Sequence, residues 1–275
     1  MSAIKNKMTE LDGDVSYIGL PTSVIHSLNF DQEVSRSAIG QPIGSFYAYK
    51  EDGLFQSEAE IKSYTNNKGE LLQPNAKPGD IKFVDVNGDG VIDGNDRDYI
   101  GNPLPDVTAG LTLGVNFHNF DLSLFFQGMF GNDVYDLTRY VGDFYNQSQY
   151  NKNSRVVNAW TPTNTNTDIP RVTMDDPNNN IRPSSYYVQD ASFVRLKNMK
   201  IGYSVPQSIL SKIKFNSLYI YAQATNLFTI TGYDGIDPEV GLQSYSSDYR
   251  NLDMGVDRGI YPLSRTFTFG VNVSF

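Results

Sequence analysis

The residues with the clearest chemical possibilities stand in one run, DVNGDGVIDGND, from Asp85 to Asp96. Counted from Asp85, side-chain oxygens fall at positions 1, 3, 5, 9 and 12, in Asp85, Asn87, Asp89, Asp93 and Asp96. Gly90 occupies position 6, where a calcium loop turns sharply, and Val91 offers its carbonyl at position 7. Hard oxygen ligands at this spacing suit calcium, so the run predicts a structural calcium site bracing a loop. Position 12 is Asp rather than the longer Glu, and Gly101, Pro103 and Pro105 leave no room for an exiting helix, which excludes an EF-hand domain. The same residues also build metal-free Asx turns.

Little else suggests catalysis. His26 and His118 are the only histidines, one in a polar stretch and one at a tight turn, and neither has an evident partner for general-base work. Nucleophile-elbow, zinc-protease and phosphate-loop patterns are absent. The pairs Asp175–Asp176 and Asp237–Glu239 could serve as glycosidase acid and base, which need carboxyls about 5–10 Å apart. Among 31 acidic residues such pairs arise by chance, and no catalytic centre is expected. Tyr186, Tyr187, Tyr219, Tyr221, Tyr233, Tyr245 and Tyr249, with Trp160, could stack on sugars; they could equally pack loops or form an interfacial girdle.

The elements that would position these residues are strands. No apolar run reaches the roughly 18 residues of a membrane-spanning helix, but a membrane barrel needs only alternate residues apolar. Tyr and Phe, at 18 and 16, dominate the aromatics, which suits strands. A net charge of −9 argues against nucleic acid, and with no Cys there is neither disulfide nor thiolate metal site. The start, MSAIKNKMTEL, lacks the apolar core of a signal peptide, so an exported protein beginning this way is expected to be a piece of something longer.

Alternation is cleanest at the end of the chain. Leu263, Phe267, Phe269, Val271, Val273 and Phe275 share one face, opposite Ser264, Thr266, Thr268, Asn272 and Ser274. A hairpin precedes it: Val107, Ala109, Leu111, Leu113, Val115 and Phe117 lead through His118–Asn119 to Phe120, Leu122, Leu124, Phe126 and Phe130. Ala191–Tyr203 reads as a strand with a bulge near Asn198, VPQSILSKIKF as a compact turn, and Leu218–Thr225 as the next strand. A weak strand over Ser2–Leu11 completes six. Their connections run long, short, long, short, long. Transmembrane barrels sort short turns to the inner side and long loops to the outer. A soluble sandwich has no reason to do so.

Six segments, in order, resemble the carboxyl-terminal part of the SusC/RagA family of TonB-dependent outer-membrane transporters. They are GQPIGSFYAYKEDGLF, PGDIKFVDVNGDGVIDGNDRDYIGNPLPDVTAGL, FDLSLFFQGMFGNDVYD, SFVRLKNMKIGYSVP, YIYAQATNLFTITGYDGIDPEV and YPLSRTFTFGVNVSF. The resemblance implies an all-β fold: an antiparallel transmembrane β-barrel segment, about six of the roughly 22 strands of such transporters. It also implies extracellular loops over 12–105, 132–185 and 228–261, placement in the cell outer membrane against lipid, and Phe275 at the periplasmic rim as an assembly signal. Glycans or oligopeptides would be imported with a SusD-like surface lipoprotein, energised by TonB through an amino-terminal box and plug that this stretch lacks. Thr108, Thr112, Asn116, Ser123 and Gln127 would face the lumen; Leu111, Leu113, Val115, Leu122, Leu124 and Phe126 would face lipid. The rival readings are a soluble, calcium-braced carbohydrate-binding β module and an all-β glycosidase.

Overall fold

A computed structural model describes residues 1–20, 32–145, 151–213, 215–242 and 252–275. In chain order the strands are β1 (Ser2–Ala3), β2 (Tyr17–Gly19), β3 (Ser35–Ala38), β4 (Ser45–Tyr49), β5 (Glu51–Leu54), β6 (Ile81–Phe83), β7 (Arg97–Gly101), β8 (Val107–Phe117), β9 (Phe120–Phe130), β10 (Asp133–Asp136), β11 (Val188–Asp190), β12 (Phe193–Ser204), β13 (Ser217–Thr225), β14 (Thr229–Thr231), β15 (Val256–Asp257) and β16 (Thr266–Ser274). Among the described residues the α-helices are α1 (Glu58–Ser63), α2 (Thr138–Gly142) and α3 (Gln207–Ile213), all short. None is long and apolar enough to cross a membrane.

One sheet organises the rest. Its strands run β1-β8-β9-β12-β13-β16, all antiparallel, with β14 continuing beside β12. β8 and β9 have 11 residues each, the length that spans a bilayer when tilted. The two-residue turn at His118–Asn119 sets the β8/β9 register, pairing Phe117 with Phe120, Val115 with Leu122 and Leu113 with Leu124. His118 takes φ of 52°, a left-handed conformation that His adopts more readily than most residues.

Because side chains alternate along a strand, the register carries each face across the whole sheet. Leu113, Leu124, Met199, Ala224 and Phe267 follow one another on one side. Asp121, Gly202, Tyr221 and Gly270 do so on the other. The apolar side stays open: Leu111, Leu113, Val115, Phe117, Ile201, Ile220, Phe267, Phe269 and Val271 are exposed. A sandwich would bury this face, so the soluble-module reading does not fit.

Several elements differ from the sequence reading. Of Ser2–Leu11 only Ser2–Ala3 pairs as strand, against Thr108 and Val107, because alternation is too poor beyond. VPQSILSKIKF contains a helix, α3, anchored by buried Leu210, and the last strand begins at Thr266 rather than Leu263. The bulge near Asn198 is present, as a register shift between Leu196 and Asn198.

The core lies elsewhere. All three long connections leave the sheet at the end carrying Val107, Phe130, Phe193, Thr225 and Thr266. There they fold into one rim body whose buried cluster draws Leu20, Phe46, Ile81 and Phe83 from the first, Tyr135, Leu137, Phe144, Trp160 and Tyr187 from the second, and Leu252 and Val256 from the third. Each fully buried aromatic or aliphatic side chain stabilises by about 1.5–3 kcal/mol. Connections rich in polar residues thus hold the main hydrophobic core.

Buried amides fasten these connections together. Gln73 Nε2 donates to the Ile81 carbonyl (3.0 Å) and to Asn178 (2.8 Å), while its Oε1 accepts from the Phe83 amide (2.8 Å). Asn180 accepts from the Ile81 amide (2.8 Å) and donates to Asp80 (2.9 Å), which Arg171 meets at 2.6 Å. Edge strands of the first connection find partners in the second, which explains why Asn and Asp are abundant in a buried place.

Candidate functional site

The Asp85–Asp96 run forms a tight loop held by its own amides. Asp85 Oδ1 accepts from Gly88 N (2.7 Å) and Oδ2 from Gly90 N (2.9 Å). Asn87 Oδ1 accepts from Asp89 N (2.8 Å), and Asp89 Oδ1 from Val91 N (2.9 Å). Asp93 and Asp96 form a capping box: Asp93 Oδ1 takes Asn95 N (2.7 Å) and Asp96 Oδ2 takes Asp93 N (2.7 Å). Asp96, fully buried, also accepts from Val86 N (2.9 Å). Gly90 has φ of 88° and packs against Asn66, so the turn requires glycine at this position. The chain then enters β7 rather than a helix. No three acidic or histidine side chains among the described residues already converge as a metal cage. The carboxylate oxygens of Asp85, Asp89 and Asp93 each accept one N–H and keep a second lone pair, whereas Asp96 Oδ1 accepts from both Val86 N and Asn87 N, so calcium would require the side chains to turn inward.

The other sequence candidates are placed differently. Asp176, buried, accepts from Asn180 N (2.8 Å) and Ile181 N (3.1 Å) and so closes a turn. Asp237 and Glu239 clamp Arg195, a β12 residue only 2% exposed: its Nη2 lies 2.5 Å from Asp237 and its Nη1 3.0 Å from Glu239. This ties the third connection to the polar side of the sheet. Tyr186, Tyr187, Tyr233 and Trp160 are buried in the rim body, where burial pushes the Tyr186 and Tyr187 hydroxyl pKa values well up. Tyr219 and Tyr221 stand on the polar side of the sheet, stacked at 5.8 Å, with Lys200 about 5 Å from both rings. Tyr219 donates to Asp121 (2.9 Å). His118 packs edge-on against Phe117 at 4.4 Å. His26, Tyr245 and Tyr249 lie outside the described residues.

A pocket of about 540 Å³ opens where the second and third connections meet, lined by Asp136, Thr138, Arg139, Asn153, Ser154, Arg155, Asp234, Gly235, Ile236 and Asp257. Arg139 donates to the Tyr186 carbonyl (2.8 Å) and to Asp234 (3.1 Å), with Asp136 at 3.5 Å. Arg155 reaches Asp143 (3.3 Å) and Asp168 (3.2 Å). Asp257 takes the Tyr233 hydroxyl at 2.6 Å. Burial raises the Asp136 carboxyl, against the hydrogen bond from Thr138 and the charge of Arg139. Nearby Glu51 is pushed up to about 7 by burial first, then by the charges of Asp168 and Asp52, with Arg139 opposing. No sequence motif marks these arginines, because the partner of Arg139 lies 95 residues away.

A sheet with one apolar and one polar side, and every long connection at one end, is the wall of a transmembrane antiparallel β-barrel. No family model matches the chain. It is 37% identical to TonB-dependent receptor P3 of Formosa agariphila over 272 residues, 98% of the chain and 26% of that receptor. It is 34% identical to TonB-dependent receptor P26 of the same organism over 275 residues, 100% of the chain and 26% of the relative. With TonB-dependent receptor SusC of Bacteroides thetaiotaomicron it shares 27% over 275 residues, 98% and 23% of the two chains. The RagAB peptide importer in its closed-closed state superposes with a TM-score of 0.67 over 98% of the chain and 26% of that chain, at 24% identity, which supports the fold. The chain belongs to the SusC/RagA family of TonB-dependent receptors, and it spans about a quarter of the length of the curated relatives it matches.

Proposed function

We propose that this chain is part of an outer-membrane, TonB-dependent active importer of glycans or oligopeptides that works with a SusD-like surface lipoprotein. One observation carries the reading: the sheet has an open apolar face and an opposite polar face, while all three long connections gather at one end; this is the arrangement of a wall between lipid and a lumen. That end is the cell exterior and the two short turns are periplasmic, following the general sorting of barrel loops. The relatives' names as TonB-dependent receptors support energised import. The name of the RagAB peptide importer supports a two-component transporter and keeps peptides beside glycans as cargo.

The test is uptake of fluorescent oligosaccharides and oligopeptides by cells carrying the full-length receptor. Loss of uptake on deleting TonB, and co-purification of a surface lipoprotein with the receptor, are the expected results. Uptake indifferent to TonB would overturn the reading. A structural calcium ion in the Asp85–Asp96 loop is a separate proposal, supported by ligand spacing and by oxygens that keep free lone pairs. Calorimetric titration of the folded receptor with calcium decides it, and no heat of binding rejects it.

A further inference from the structure

Each of the two arginines in the rim pocket has a buried acid and an exposed one. Arg139, 7% exposed, sits between Asp136 at 4% and Asp234 at 63%. Arg155, 21% exposed, sits between Asp143 at 1% and Asp168 at 74%. The two buried acids are also tied to other groups. Asp136 accepts from Thr138 and Gln189, and Asp143 accepts from the Tyr186 hydroxyl. The exposed acids hold their arginines by surface ion pairs, which are weak and easily exchanged. Asp257 has its oxygens taken by Tyr233 and by the amides of Gly259 and Ile260.

An arginine held in place by a buried acid but facing outward toward a weakly held one is preorganised for an incoming anion. Its guanidinium offers the planar donor pair that carboxylates match. The remaining lining among the described residues, Thr138, Asn153, Ser154 and Ile236, supplies hydroxyls, an amide and one apolar contact, and none of these is an aromatic ring. A volume of about 540 Å³ lies within the range of pockets that enclose small ligands.

We propose that this pocket binds a carboxylate of the incoming substrate through Arg139 and Arg155, with Asp234 and Asp168 as resident counter-ions that the ligand displaces. The proposal deepens the importer reading by naming a substrate class and rests on that reading for the origin of the ligand.

The test is calorimetry on the full-length receptor in detergent, with a uronic-acid trisaccharide and an N-acetylated tripeptide with uncharged side chains as probes. Each is run beside its neutral form, the methyl ester and the carboxamide. The expected result is that one acidic probe binds at least tenfold more tightly than its neutral form, and which one it is identifies the source of the carboxylate. Asp168→Asn and Asp234→Asn should each raise affinity about threefold by removing a competing anion, and Arg155→Gln should lower it at least tenfold. A purely structural role for these exposed acids would not raise affinity on their neutralisation. No binding of either acidic probe, equal binding of acidic and neutral forms, or unchanged affinity in the Asp variants would overturn the proposal. Unchanged carboxylate binding in the variants, with TonB-driven uptake intact, removes the pocket alone. Carboxylate binding with uptake indifferent to TonB removes the importer reading alone.

Discussion

The side chain of Tyr219 occupies the space that a Cβ at Gly202, on the neighbouring strand, would need. Tyr221 does the same over Gly270 one strand further on. Glycine in a strand usually weakens it; here each gap receives a ring from β13, so three strands interlock on the lumen side. Gly202→Ala should therefore destabilise the barrel by about 1–3 kcal/mol, the ordinary cost of overpacking. Gly114, also on the lumen side, has open space where a Cβ would point, with nothing within 4 Å, so Gly114→Ala should be close to neutral. Thermal migration shifts of the folded receptor on unheated gels compare the two.

Leu113 lies mid-strand on the exposed apolar face, opposite Leu124. An arginine there should cost about 2–4 kcal/mol near the bilayer midplane. Thr112→Arg, one residue away and facing the lumen, should insert far better. Outer-membrane yield of the two variants reads the difference, and equal yields would contradict the assignment of faces.

Arg195 depends on Asp237 more than on Glu239, because Asp237 is buried and Glu239 is partly exposed. Removing Asp237 leaves a buried guanidinium without its close partner, and Asp237→Ala should cost about 3–5 kcal/mol. Glu239→Gln should cost much less. Burial alone would raise the Asp237 carboxyl, but the Glu239 amide, Arg195 and the Leu263 amide together hold it below the usual range. Its contribution is therefore present above the unfolded carboxylate pKa and is lost as pH falls through the lower folded value. Urea denaturation at pH 7 measures the variants.

Glu51 works in the opposite sense. Its folded pKa of about 7 lies above the ordinary glutamate value of 4.5, so the folded rim body holds this proton more tightly than the unfolded chain does. The stabilisation is complete below about pH 4.5 and is lost as pH rises through about 7. The shift corresponds to about 3 kcal/mol at most. Glu51→Gln should flatten the pH dependence of the melting temperature between about pH 5 and pH 8, the roughly physiological span of such titrations, and stabilise the protein at the upper end.

The strands were legible because alternation is a local property. The run from Val107 to Phe130 shows both faces and the two-residue turn between them, and that turn fixes the register. The capping box of Asp93 and Asp96 is equally local, since residues three apart suffice to form it, but the run by itself reads as a calcium loop or Asx turns, and the box emerges only in the structure. The rim body was not legible. Trp160 bonds to Gln56 over a separation of 104 residues, and Gln73 to Asn178 over 105. No window of sequence contains both members of either pair, so in the sequence Trp160, Tyr186 and Tyr187 stay open between sugar stacking, loop packing and a girdle, and their burial selects loop packing.

Which residues form the four well-alternating strands β8, β9, β13 and β16, and which side of them is apolar, follows closely from the order of amino acids, because a period of two maps directly onto the two faces of a strand; the extent of the first strand does not. That the polar connections share a core, and that Arg139 and Arg155 line one pocket, emerges only from the folded chain. Those relationships depend on three distant segments meeting at one end of the sheet. Burial and charge pairing arise there between residues with no regular spacing along the chain.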